Sequence, residues 1–175
     1  MSYKITWKTH IISFFITIGI TFLFYNQIEI IIDNLIIQSF MQFLTASIFI
    51  NVILIFTFAM FLITELHELA HGAANILFNG KVKYGFRGIY AYTQETTGRA
   101  LSINEFTIVL LAPLMVISVL AFAMMIFNYW TGNILFILNL LGSSGDIYMA
   151  VSLSSYKYNS SIVDKPYGFD ILNEN

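Results

Sequence analysis

Residues 46–78 read ASIFINVILIFTFAMFLITELHELAHGAANILF, an apolar run with Glu65, His67, Glu68 and His71 clustered towards its end. From Ala46 to Leu66 the run is long enough to cross a bilayer as a helix, which takes about 20 residues. The helical reading continues through the polar cluster to about Phe78. An ionisable group near the centre of a membrane helix costs about 2.5–3.5 kcal/mol for Asp on insertion scales, so such groups locate function. The rest of the chain agrees with lipid as the solvent. Of 175 residues, 58% are hydrophobic and 10% charged, where a soluble domain carries about 25% charged residues.

Working outward from this run, further apolar runs place spans at about 10–25, 107–128 and 134–155, with 46–78 as the second of four. Tyr25-Asn26-Gln27-Ile28-Glu29 has no small-x-small cleavage pattern, so the first run reads as an uncleaved span. Residues 26–42 mix Glu29, Asp33, Asn34 and Gln38 with many Ile and read as an amphipathic segment at the far membrane face. A turn at Thr131-Gly132-Asn133 separates spans three and four. Lys4 and Lys8 precede span one; Lys81, Lys83, Arg87 and Arg99 lie between spans two and three; Lys157 and Lys165 follow span four. Four crossings put all of them on one face, which predicts a multi-pass cell-membrane protein with both termini cytoplasmic.

Between spans two and three, Val82, Tyr84 and Phe86 alternate with Lys83, Gly85 and Arg87, a period of two that predicts a strand. Gly88 turns the chain and Tyr90–Gln94 returns. The tail after Lys157 is polar and broken by Pro166 and Gly168, and reads as loosely ordered. The expected fold is an all-α integral membrane protein, one domain over 1–175, with about four transmembrane helices and a small cytoplasmic β-hairpin. A net charge of −2 excludes a nucleic-acid partner, and the absence of Cys excludes disulfides, thiolate metal sites and Cys nucleophiles. The bilayer is the expected surrounding, and composition leaves the oligomeric state open.

His67-Glu68-Leu69-Ala70-His71 is an H-E-x-x-H motif. Histidines four apart leave one helix face and can bind one metal ion, while Glu68, about 100° round, can reach a water without ligating. Imidazole and carboxylate donors suit Zn2+, with Glu68 as the acid/base. A catalytic zinc takes a third protein ligand. His10 sits at the start of span one and reads as interfacial; Glu65, about 160° from His67, points elsewhere. Asp146, in Asn139-Leu140-Leu141-Gly142-Ser143-Ser144-Gly145-Asp146, is the natural third ligand. Helix rise puts His67 about 24 Å and Asp146 about 18 Å deep, a gap that a short extended stretch at Gly-Ser-Ser-Gly would close. Asn139 is a candidate oxyanion donor or a structural interhelix amide.

These motifs resemble the intramembrane zinc metalloproteases of the site-2 protease group and, more closely, the short putative zincin peptidases. The resemblance covers roughly residues 60–155 and rests on four places: His67–Gly72, Asn79-Gly80-Lys81-Val82, Leu111-Ala112-Pro113-Leu114 and Gly145-Asp146. It implies His67, His71 and Asp146 as zinc ligands and Glu68 as the catalytic acid/base. The chain departs from the larger proteases in having Gly-Asp-Ile at the third ligand and no Pro beside Asn139.

The leading expectation is a membrane-embedded zinc metalloprotease acting on peptides or membrane proteins near the cytoplasmic face. The hairpin at 82–94 would either add an extended substrate as a further strand or serve as a plain connection. The alternative is a non-catalytic zinc-containing peptide-binding, immunity or regulatory protein, against which the presence of Glu68 argues. A divalent-metal permease is weaker still, since one polar cluster near one face leaves no polar path across.

Overall fold

The computed structural model describes residues 1–37, 47–87 and 90–172. The predicted turn at Gly88, positions 38–42 of the amphipathic segment and Ala46 of span two lie outside the described residues. Six helices run through the described chain: α1 (Trp7–Leu23), α2 (Tyr25–Ile37), α3 (Ile48–Leu77), α4 (Ile103–Phe127), α5 (Tyr129–Gly142) and α6 (Ser144–Leu153). By length and composition α3 (from Phe49) and α4 are each able to cross a membrane. Two bent pairs, α1 with α2 at 73° and α5 with α6 at 48°, raise the number of crossings to as many as four. Phe58, Phe61, Met115, Val119, Phe122 and Ile126 are exposed along α3 and α4. Apolar surface of this extent calls for lipid or a partner.

The helix ends follow local chemistry. Ser102 and Glu105 form a capping box, in which Ser102 Oγ accepts from Glu105 N and Glu105 Oε2 accepts from Ser102 N. That cap starts α4 four residues before the predicted span. Helix α3 ends where Asn79 takes φ 61° and the Gly80 N–H returns to the Asn75 carbonyl at 2.9 Å, a left-handed C-terminal cap.

Between α4 and α5 the chain turns at Asn128, whose side chain caps α5 by accepting from Thr131 N. Thr131-Gly132-Asn133 is therefore helix, a correction to the expected turn. Gly132 serves packing there: a Cβ on it would lie 2.5 Å from Met125 N and 2.6 Å from the Ala121 carbonyl of α4. The Gly-Ser-Ser-Gly stretch is likewise a bend rather than an extended segment. Ser143 alone breaks the helix, at φ −81° and ψ 4°.

The predicted hairpin is present as β2 (Val82–Arg87) and β3 (Tyr90–Glu95), in antiparallel register from Val82↔Glu95 to Arg87↔Tyr90. A second sheet corrects the all-α expectation. Strands β1 (Ser2–Lys4), β4 (Ala100–Ser102), β5 (Ser161–Lys165) and β6 (Gly168–Leu172) pair antiparallel in the order β1-β6-β5-β4. The tail expected to be loose thus supplies two strands. Ile162, Phe169 and Ile171 are 0–1% exposed and pack on Phe106, Val109, Leu110 and Leu153. Alternation places these side chains on one face of the sheet, so a polar segment buries an apolar row. Tyr3 stacks on Phe169 at 4.6 Å, tying the N-terminus to that row.

Candidate metal centre

His67 and His71 stand one helical turn apart on α3, their rings 4.8 Å apart. Asp146 reaches them from the first turn of α6. The chain bends by 48° at Ser143 and starts a new helix there, with Asp146 in its first turn, a position where the partial positive charge of a helix N-terminus favours a carboxylate. His67 Nε2 lies 2.9 Å from Asp146 Oδ2 and His71 Nε2 lies 3.7 Å from Asp146 Oδ1. One donor atom from each of the three residues lies within 4.8 Å of the others.

This donor set fits zinc. Tetrahedral bonds of about 2.0–2.2 Å put neighbouring donors about 3.3 Å apart, and the two His–Asp separations straddle that spacing. Two imidazoles and one carboxylate leave the fourth position open, as in catalytic rather than structural sites. His71 Nδ1 lies 2.8 Å from the Val109 carbonyl of α4. A carbonyl only accepts, so Nδ1 donates to it, and in the neutral ring this leaves Nε2, the nitrogen on the Asp146 side, free to bind a metal.

Glu68, His71 and Asp146 line a cavity of about 790 Å³, together with Tyr92, Asp164 and Phe169. The hairpin docks on the motif helix at this wall. Thr93 Oγ1 donates to the Glu68 carbonyl at 2.8 Å, and the Tyr84 phenol covers Gly72 so closely that a Cβ there would overlap its hydroxyl. Asn75 Nδ2 donates to the His71 carbonyl at 3.1 Å.

The other candidate ligands fall elsewhere. His10 is exposed at the start of α1, and Glu65 has a buried Oε1 outside the His67–His71–Asp146 group. The Asn139 amide is fully buried and donates to the Leu114 carbonyl at 3.2 Å and to Ser118 Oγ at 3.3 Å. Its N–H groups thus hold α5 to α4, which is the structural side of the expectation.

Asp164 is not among the residues the sequence singles out, because the tail reads as loosely ordered. The register sets Asp164 opposite Phe169 on β6, which puts it on the buried face of the sheet. Its Oδ2 accepts from Glu95 N at 3.1 Å, joining the two sheets. Burial pushes its carboxyl up to about 6, helped by the Glu95 carboxylate and opposed by the Glu95 and Lys165 N–H groups. Burial pushes Glu95 up too, but the Thr97 hydroxyl and the Thr97, Lys81 and Gly98 N–H groups outweigh this and hold it below the usual range.

The folded chain therefore keeps the Asp164 proton to about pH 6, and the unfolded chain only to 3.8. Between those values the folded state binds more protons, so Asp164 lowers stability as pH rises through this window, with the full loss above about 6. The loss is roughly 3 kcal/mol by linkage. Asp164→Asn keeps the acceptor for Glu95 N and removes the charge. Its thermal midpoint in detergent should exceed that of the parent by several degrees at pH 7.5, with the gain gone by about pH 4. A gain of equal size at both pH values would refute this account.

No curated protein and no solved structure matches the chain. A family model described as putative zincin peptidase matches residues 60–161, from the motif helix through the hairpin to the third donor on α6, and the chain belongs to that family.

Proposed function

We propose that the chain is a membrane-embedded zinc metalloprotease of the site-2 protease type, hydrolysing peptide bonds of membrane-associated or membrane-spanning peptides near the cytoplasmic face. The observation that carries this is the convergence of His67, His71 and Asp146, two of which, His71 and Asp146, line one cavity together with Glu68. Held by the three donors, zinc would supply Lewis-acid polarisation of a water and of the scissile carbonyl. Glu68 takes the proton from the attacking water and delivers it to the leaving amine. The apolar wall of Phe106, Val109, Leu110 and Phe169 receives side chains of the peptide. The two-stranded hairpin sheet leaves a strand edge for an extended peptide.

The placement of the termini supports the membrane reading. Strand β1 pairs with β6, and β4 joins the same sheet through β5, so both ends of the chain and the segment leading into α4 share one side. An even number of crossings meets that condition. The concentration of Lys and Arg in these segments supports the reading of that side as cytoplasmic.

The reading is tested on detergent-purified protein incubated with synthetic membrane-span peptides. Internal fragments should appear, cease on chelation and return when one equivalent of zinc is restored. Cleavage that persists after complete removal of metal would refute it.

A further inference from the structure

We propose that Pro113 is a positioning residue for the metal centre: having no N–H, it leaves the Val109 carbonyl of α4 free to accept from His71 Nδ1, which fixes the His71 ring. The inference rests on the metal-centre reading above and concerns the chain's own hydrogen bonds.

In an α-helix the carbonyl of residue 109 accepts from the N–H of residue 113. Pro113 lies inside α4, within Ile103–Phe127, and supplies no donor. Its ring also crowds the carbonyl four residues back and tilts it out of the helix. The carbonyl so released is Val109's, and it is the one that stands 2.8 Å from His71 Nδ1. Val109 is 5% exposed and Pro113 fully buried, so water does not readily satisfy the freed acceptor. A buried carbonyl without a donor is costly. His71 Nδ1–H, 38 residues away in sequence, fills the vacancy.

The consequence falls on the opposite nitrogen. With Nδ1 protonated and anchored, Nε2 of the neutral ring is the nitrogen left to bind a metal, and it lies 3.7 Å from Asp146 Oδ1. Such outer partners of a metal-binding imidazole set its tautomer, orientation and basicity. Another residue at position 113 would restore a helical N–H, pull the Val109 carbonyl back towards the helix axis and make it share its acceptance. Loss of ring packing is a separate effect of any such substitution, and the test must part the two.

The test uses the full chain in detergent with three residues at position 113: proline, alanine, and the α-hydroxy analogue of alanine, which puts a backbone ester there. The ester has alanine's side chain but no N–H. The readouts are zinc affinity, by competition with a chromogenic chelator, and the His71 tautomer, by 15N-histidine NMR. Pro113→Ala should bind zinc about tenfold more weakly and shift His71 away from the Nδ1–H form, while the ester should restore both towards the values with proline. Equal losses in the alanine and ester chains would assign the effect to ring packing and overturn the proposal. Unchanged affinity and spectrum in Pro113→Ala would also overturn it.

A finding that His71 in the unsubstituted chain carries its proton on Nε2 would overturn the proposal without any variant. The proposal and the peptidase reading fail separately. Zinc binding with the expected pattern but no peptide cleavage removes only the peptidase reading. A chain that binds no zinc overturns the metal-centre reading and this proposal with it.

Discussion

Glu68→Gln is expected to reduce peptide hydrolysis by about 10²–10⁴-fold while leaving zinc content near that of the unsubstituted chain. Glu68 follows His67 directly on α3 and lines the cavity beside His71 and Asp146, but it is outside the three-donor group. Gln keeps the length and polarity of the side chain and cannot take a proton from water, so general-base catalysis is lost and the metal ligands are untouched. Cleavage by mass spectrometry and zinc by atomic absorption, on the same preparation, check both halves. The result also separates the proposed protease from a zinc-containing peptide-binding protein. A binding protein would hold peptides equally well with Glu or Gln at 68, and the unsubstituted chain would cut none.

Asp146→Ala is expected to lose nearly all bound zinc. Removing a hydrogen-bond partner of a metal ligand already weakens binding by about 10–100-fold, and a direct ligand should cost at least the upper end of that range. The loss has two parts. The carboxylate that meets both imidazoles, at 2.9 and 3.7 Å, is gone, leaving two donors where a catalytic site uses three. The buried Nε2 of each histidine also loses its polar neighbour. Zinc stoichiometry should fall from about one per chain to a small fraction, with the helical circular dichroism retained. Full zinc in Asp146→Ala would show that the third donor is another residue, and Glu65 would be the next to substitute.

Much of this architecture was legible in the chain because it is set by local periodicity. The apolar run of α3, the pairing of His67 with His71 at one turn's spacing and the hairpin alternation at Val82, Tyr84 and Phe86 depend only on neighbours in sequence. Asp146 was legible for a different reason: few ionisable groups stand near the apolar runs, so the choice of a third donor was narrow. How Asp146 reaches the histidines was not legible. An extended Gly-Ser-Ser-Gly stretch was expected, whereas one residue, Ser143, bends the chain by 48° between α5 and α6 and keeps both halves helical. Backbone bonds from Ser143 N to the Asn139 carbonyl and from Ile147 N to the Ser143 carbonyl continue through the bend.

The tail was misread for a related reason. Ile162, Phe169 and Ile171 are spread through a polar segment, and their shared face exists only once β5 pairs with β6 and β6 with β1, from the other end of the chain. Asp164, a wall of the cavity, was lost with them.

By itself the sequence determined the apolar helices, the helix that carries the motif and the missing N–H at Pro113, since each follows from covalent structure or the period of a helix. The tertiary structure decided which acceptors and donors those features meet: Asp146 with the two histidines, the freed Val109 carbonyl with His71, and Asp164 against the cavity. These pairs join residues far apart in the chain, and only the packing of α3, α4, α6 and the terminal sheet brings them within bonding distance.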